Sequence, residues 1–298
     1  MLRNVGTKSL YRSLIVAAAC AAGTILAAGA RAASISDNNS TLTINPSGST
    51  NPLISQWIVD GVDQYGGSPA GGENLRFAIG SPGIVEQLNS LTVASSSFGS
   101  GIVSITYQGG GFTVSVNEIL SGGNPGSGAS AISETIEVSN TQTPLPVIEG
   151  AASPADGSTT LVFSLLDDVN LNVNGTPGND TLTLSPGSGT NTANQTDPSG
   201  AKVNFTATPT PDLFETVDAT TGTPNGSLGP VTGDEAFAVE WNMSIAPGDS
   251  EIVSINETLS GGSTASVVPL PNSAAATLAM LAGLGIIAIV RRMRRTAK

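Results

Sequence analysis

Residues Phe237–Gly262 read FAVEWNMSIAPGDSEIVSINETLSGG. Phe237, Val239 and Trp241 fall at every second position, the period of a strand rather than a helix. This run predicts a strand over Phe237–Ile245 with those three side chains in the core. The APGD at 246–249 is a turn signal, and alternation resumes over Glu251–Leu259. One stretch therefore holds two strands and a turn.

The second of these strands has a copy. Val253–Gly262 is VSINETLSGG, and Val114–Gly123 is VSVNEILSGG, eight of ten positions identical at an offset of 139. The copies predict two related β halves, 33–140 and 141–266. In both, a glutamate, Glu118 or Glu257, shares its parity with Val and Leu. A carboxylate on an apolar face predicts an edge strand with an inward charge, or a bulge that turns the side chain to solvent.

Further alternating runs lie between Gly, Pro and Asn clusters. They predict strands at Thr41–Ile44, Leu75–Ile79, Leu91–Ala94, Ile102–Tyr107, Phe112–Leu120 and Ile132–Val138. Others are expected at Thr160–Leu165, Asn170–Val173, Thr181–Leu184 and Val203–Thr208. A short helix is expected at Gly83–Ser90, since Pro82 is tolerated in a first helical turn. Many short strands with Gly/Pro turns predict an all-β chain built as a large β-sandwich.

The two ends differ from this body. Arg3, Lys8 and Arg12 precede an apolar run, Leu14–Ala30, and Ala30-Arg31-Ala32 is an A-x-A cleavage site. Residues 1–32 read as a secretory signal peptide cut after Ala32. At the other end, Pro269-Leu270-Pro271 precedes eighteen uncharged residues, Ser273–Val290, and then Arg291, Arg292, Arg294 and Arg295. A helix of that length rises ~27 Å, close to a hydrocarbon core of about 30 Å. The arginines favour a cytoplasmic end. This layout of motif, transmembrane helix and arginine cluster resembles the PEP-CTERM sorting signal, in a VPLP form lacking the usual glutamate. The resemblance implies recognition of residues 267–298 by an exosortase-type enzyme, after export by the secretion machinery and transient anchoring in the inner membrane. It also implies delivery to the cell envelope, cell surface or extracellular matrix.

Removing both ends changes the charge. The whole chain carries 11 basic and 23 acidic residues, net −12. Only Arg76 and Lys202 lie between residues 33 and 266, against all 23 acids, a balance near −21. Such a body repels phosphate backbones, so nucleic acid is excluded as a partner. The chain has no histidine, and its one cysteine, Cys20, lies in the signal peptide. Imidazole and thiol chemistry are unavailable to the body, and no triad can form.

Acidic and amide side chains supply the oxygen ligands that Ca²⁺ takes. Asp168, Asn170, Asn172 and Asn174 alternate and would share one strand face. Gly175–Thr183, GTPGNDTLT, resembles one turn of the calcium-binding nonapeptide through Gly175, Gly178, Asp180 and Leu182. That family binds between stacked turns, and this copy is solitary. Asp168, Asn170, Asn172 and Asp180 are the Ca²⁺ candidates, beside the simpler reading of a solvated strand face and a turn. No cofactor is otherwise expected. Ser199-Gly200-Ala201-Lys202 matches S-x-x-K by chance, in a Gly/Pro/Ser loop with none of the accompanying motifs.

The expected function is a non-enzymatic surface or matrix component, in contact with matrix polysaccharide. A carbohydrate-binding or adhesion module is the first alternative and would need an exposed aromatic platform such as Trp57 or Tyr65. A secreted glycosidase is the second and would need two carboxylates ~5–9.5 Å apart in a cleft.

Overall fold

The structure is a computed structural model. It describes residues 32–48, 51–65, 71–80, 83–142, 160–176, 178–187, 191–218, 227–233 and 235–261. The expected signal peptide up to Arg31 and the whole of the expected sorting tail, 267–298, lie outside the described residues.

The described residues form two nine-stranded antiparallel sheets. The first contains β1 (Ala33–Asp37), β2 (Ser40–Ile44), β3 (Ile54–Val59), β4 (Val62–Asp63), β5 (Gly72–Ile79) and β6 (Glu86–Gln87). To these it adds β11 (Leu161–Asn170), β15 (Leu213–Asp218) and β17 (Glu235–Ile245). Its order is β1-β2-β3-β5-β11-β17-β15, with β4 on β3 and β6 on β5. The second sheet contains β7 (Thr92–Phe98), β8 (Ile102–Gln108), β9 (Phe112–Gly122), β10 (Ser130–Asn140) and β12 (Asp180–Ser185). It is completed by β13 (Asn191–Thr196), β14 (Lys202–Thr208), β16 (Val231–Gly233) and β18 (Ser250–Ser260). Its order is β16-β12-β13-β14-β18-β10-β9-β8-β7.

Alternation explains the layering. Phe237, Val239 and Trp241 on β17 are buried, as are Val253, Ile255 and Leu259 on β18. The APGD turn between them carries the chain from one sheet to the other. Its Gly248 N–H donates to the Asn140 carbonyl at 2.9 Å, and the Asn140 amide donates to the Ile245 carbonyl at 2.9 Å. Aromatic rings fill the space between the sheets. Phe77 and Phe163 stack at 5.7 Å, with the Phe112 ring edge-on to Phe163 at 5.5 Å. Phe205 of the second sheet meets Phe237 of the first at 4.8 Å.

Two local expectations are corrected. Gly83–Ser90 is not a helix: it holds the two-residue strand β6 and a 3-10 turn, Leu88–Ser90. Eight residues with Gly83 at the start form too short a helix to be stable without packing of its own. Asn170–Val173 is not a strand either. Asn170 ends β11, and a 3-10 turn spans Val173–Gly175, where Asn174 takes a left-handed φ of 62°. The strands carrying the repeat, β9 and β18, lie on either side of β10 and both pair with it.

Candidate functional site

Glu118 and Glu257 are neither on edge strands nor bulged. The ladders β9–β10 and β14–β18 run through both positions without a register shift. With parity intact, both side chains point between the sheets. Three more carboxyls join them there. Glu134 stands opposite Glu118 on β10, Glu73 sits on β5 and Asp167 on β11. The exposures are 1% for Glu118 and Glu257, 2% for Glu73 and Glu134, and 0% for Asp167.

Two phenols enter the same space. The Tyr65 hydroxyl lies 2.9 Å from Glu257 Oε2 and 3.2 Å from Glu73 Oε2. Tyr107, on β8, is 0% exposed, and its hydroxyl has no hydrogen-bond partner among the described residues. Among the described residues no hydrogen-bond donor reaches either carboxyl oxygen of Glu118 or of Glu134. The nearby cation is Arg76, which is ion-paired with Asp168 on the outer side. Its charge also reaches Asp167.

Electrostatics follow from burial. Desolvation, then the charges of neighbouring carboxyls, push Glu73, Glu118, Glu134 and Asp167 well above the ordinary carboxyl range. Glu257 is raised by burial to about 7, with the Tyr65 hydroxyl pulling the other way. Burial and the Glu257 charge push the Tyr65 phenol up as well.

The Ca²⁺ candidates do not share one solvated face. Asp168 pairs with Arg76. Asn170 and Asn172 are buried rather than lined up on a solvated face. Asp180 is buried and accepts from the Val173 N–H and the Gln195 amide, both at 2.9 Å. Among the described residues no three acidic side chains are placed to hold a metal ion. Ser199 sits in a turn, its N–H donating to Asp197 Oδ1 at 2.7 Å. The expected sugar platform is corrected too. Trp57 is 0% and Tyr65 1% exposed, their rings 6.1 Å apart in the core. The Trp57 indole N–H donates to Ser130 Oγ at 3.1 Å.

Outside the core, a depression and a sheet face are open to solvent. A depression of about 490 Å³ at the β17–β18 turn is lined by residues that include Asp249 and Glu251. The other is the outer face of the second sheet. One row across it reads Thr208, Ser254, Thr135, Asn117, Ser104 and Ser97, each paired with the next. A parallel row reads Thr192, Thr206, Asn256 and Ser133. Ser133 donates to Asn256 Oδ1 at 2.8 Å, and the Asn204 amide donates to Asn194 Oδ1 at 3.0 Å. Along these strands the outward positions carry two charges, Glu137 and Lys202.

No protein-family model matches the chain, and no curated protein matches it. Solved structures of similar fold do exist. One is a protein assigned as an aldose 1-epimerase from Escherichia coli K12, 12% identical, TM-score 0.49, covering 76% of this chain and 98% of that one. Another is a polysaccharide lyase, 10% identical, TM-score 0.44, covering 76% of this chain and 33% of that one. A third is a family GH92 inverting mannosidase from Bacteroides thetaiotaomicron, 12% identical, TM-score 0.37, covering 76% and 28%. The likeness is one of fold. The names these three solved structures carry are those of sugar-processing enzymes, which runs against the expectation of a non-enzymatic body. The missing histidine and cysteine do not rescue that expectation, since carboxyl groups alone support acid–base chemistry.

Proposed function

We propose that this chain is an exported protein of the cell surface or extracellular matrix that engages neutral polysaccharide through the outer face of its second sheet. The signal peptide and the PEP-CTERM-like tail supply the route, with an exosortase-type enzyme removing the tail.

The observation that carries the reading is the row Thr208–Ser254–Thr135–Asn117–Ser104–Ser97. Neighbouring strands lie about 4.8 Å apart, so the row offers hydroxyl and amide groups at regular intervals over roughly 24 Å. Each group donates and accepts, as sugar hydroxyls do. A flat face suits an extended polymer, whereas small ligands take concave pockets. Charge selects the polymer. The body is strongly acidic and repels anionic chains, while this face is nearly neutral.

The test is retention of the purified chain on its producer's own matrix polysaccharide. Ser104→Asp with Ser254→Asp places two carboxylates on the row, two strands between them. The double variant should unfold at an unchanged temperature and lose at least tenfold in binding. Equal retention of variant and parent would defeat the proposal. Assaying the same incubation for released oligosaccharide separates binding from turnover.

A further inference from the structure

The carboxyls between the sheets meet at two places: Tyr65 bridges Glu73 and Glu257, and Glu118 stands opposite Glu134. Tyr65 has a single O–H, yet its hydroxyl lies within hydrogen-bond distance of two carboxyl oxygens, so one of its contacts must be made by a carboxyl proton. Glu257 receives the shorter Tyr65 bond, which places that proton on Glu73. Among the described residues no donor reaches the four oxygens of Glu118 and Glu134, and an opposed pair buried in this way persists only when protonated.

Among the described residues little positive charge opposes the cluster. Five buried carboxyls, counting Asp167, face one guanidinium, that of Arg76, which is half-exposed and paired with Asp168. Lys202 projects from the opposite, outer face of the second sheet. Tyr107 faces Glu118 and Glu134 as a neutral phenol. Full ionisation would set like charges against each other across the sandwich, since Glu73 and Asp167 belong to the first sheet and Glu118, Glu134 and Glu257 to the second.

We infer that this core is a proton-linked lock, closed by protons that Glu118, Glu134 and Glu73 hold in the folded state, so that acid tightens the sandwich and alkali loosens it. The direction is opposite to ordinary acid denaturation, in which paired surface carboxylates are lost. Burial, which raises all five carboxyls, agrees with it.

The experiment is denaturant unfolding of the full chain, held in detergent, between about pH 5 and about pH 9. The unfolding constant should rise about tenfold per pH unit for each proton the folded state retains over the unfolded one. Glu118→Gln with Glu73→Gln keeps the shape and a hydrogen-bond donor but cannot ionise, and should flatten that slope. Glu137→Gln, on the outer face, should leave it unchanged. A flat or falling unfolding constant in the parent would overturn the lock, as would an unchanged slope in the double variant. Stoichiometric Ca²⁺ binding that abolishes the slope would overturn it in favour of a cation site. If the double variant fails to fold, infrared spectroscopy of the parent decides. A protonated-carboxyl stretch at neutral pH, shifted by deuterium oxide, supports the lock, and its absence refutes it.

Discussion

Glu118 and Glu134 stand directly opposite each other on adjacent central strands, β9 and β10, with both side chains inside the core. Opposed like charges destabilise a ladder even at a surface. Buried, they persist only with a proton between them. The pair is thus the local form of a wider rule in this molecule: carboxyls sit where parity sends them, and protons make the placement tolerable.

Tyr65→Phe tests the bridge between Glu73 and Glu257. The ring would keep its place against Trp57, and only the hydroxyl would go. Glu73 and Glu257 would each lose an oxygen partner, so the variant should be less stable by about 1–3 kcal/mol. The same change should raise the titration of Glu257 above its value of about 7, because the Tyr65 O–H holds it down. In the parent, Glu257 is raised from an ordinary 4.5. Between those values the folded state keeps a proton that the unfolded chain has released. The stability this group contributes is full below 4.5, declines through that window and is gone above about 7. The slope is ~1.4 kcal/mol per pH unit at most. A pH titration of the carboxyl signal in parent and variant measures both effects. A downward shift in the variant would contradict the assignment.

Trp241→Ala addresses packing. The indole is 3% exposed, and its N–H donates to the Pro209 carbonyl at 2.9 Å. Truncation should cost ~3–5 kcal/mol, read from denaturant midpoints at constant slope. A loss below about 1 kcal/mol would mean that the indole is not a core residue.

Gly72→Ala addresses backbone. Gly72 opens β5 beside Glu73 with φ of 120°, and a Cβ there would run into the Ile54 carbonyl oxygen and the Pro52 ring. Neither the conformation nor the backbone oxygen can give way cheaply. Thermal unfolding should report a loss of about 2–3 kcal/mol. Gly48→Ala, where a Cβ meets nothing within 4 Å, is the matched control, since its φ of 118° is equally strained but its space is open.

Strands whose inward positions are all apolar were legible from period alone, as at Phe237–Ile245. β13 was not. Its NTANQT run turns Asn191, Ala193 and Gln195 inward, and the polar ones are sustained by hydrogen bonds that sequence does not display, such as the Gln195 amide to the Leu171 carbonyl at 2.7 Å. The edge strand β15 has short, mixed alternation and one ladder to hold it. The acid cluster left a signal that could have been read. In Ile132–Val138, as in both repeat copies, a glutamate shares parity with Ile and Val. One misplaced carboxyl suggests a bulge, but the same anomaly on several strands suggests a common interior. What parity cannot supply is which strands face each other, so Glu73 and Asp167 could not be brought to Glu134 without the fold.

Export with cleavage of the tail, as proposed, fixes which peptides the mature protein contains. The tail, 267–298, combines Pro269-Leu270-Pro271, an uncharged run long enough for a membrane and four arginines. A plain anchor would keep all of it, whereas a sorting signal is cut near the prolines. Mass spectrometry of the protein recovered from cell envelope and matrix should find an N-terminus at Ala33 and no peptide from Ala274–Lys298. A strain lacking its exosortase-type enzyme should retain those peptides and hold the protein at the inner membrane. Recovery of an intact Arg291–Lys298 peptide from the mature protein of the intact strain would establish an anchor instead, with the β-sandwich tethered at the membrane rather than released to the matrix.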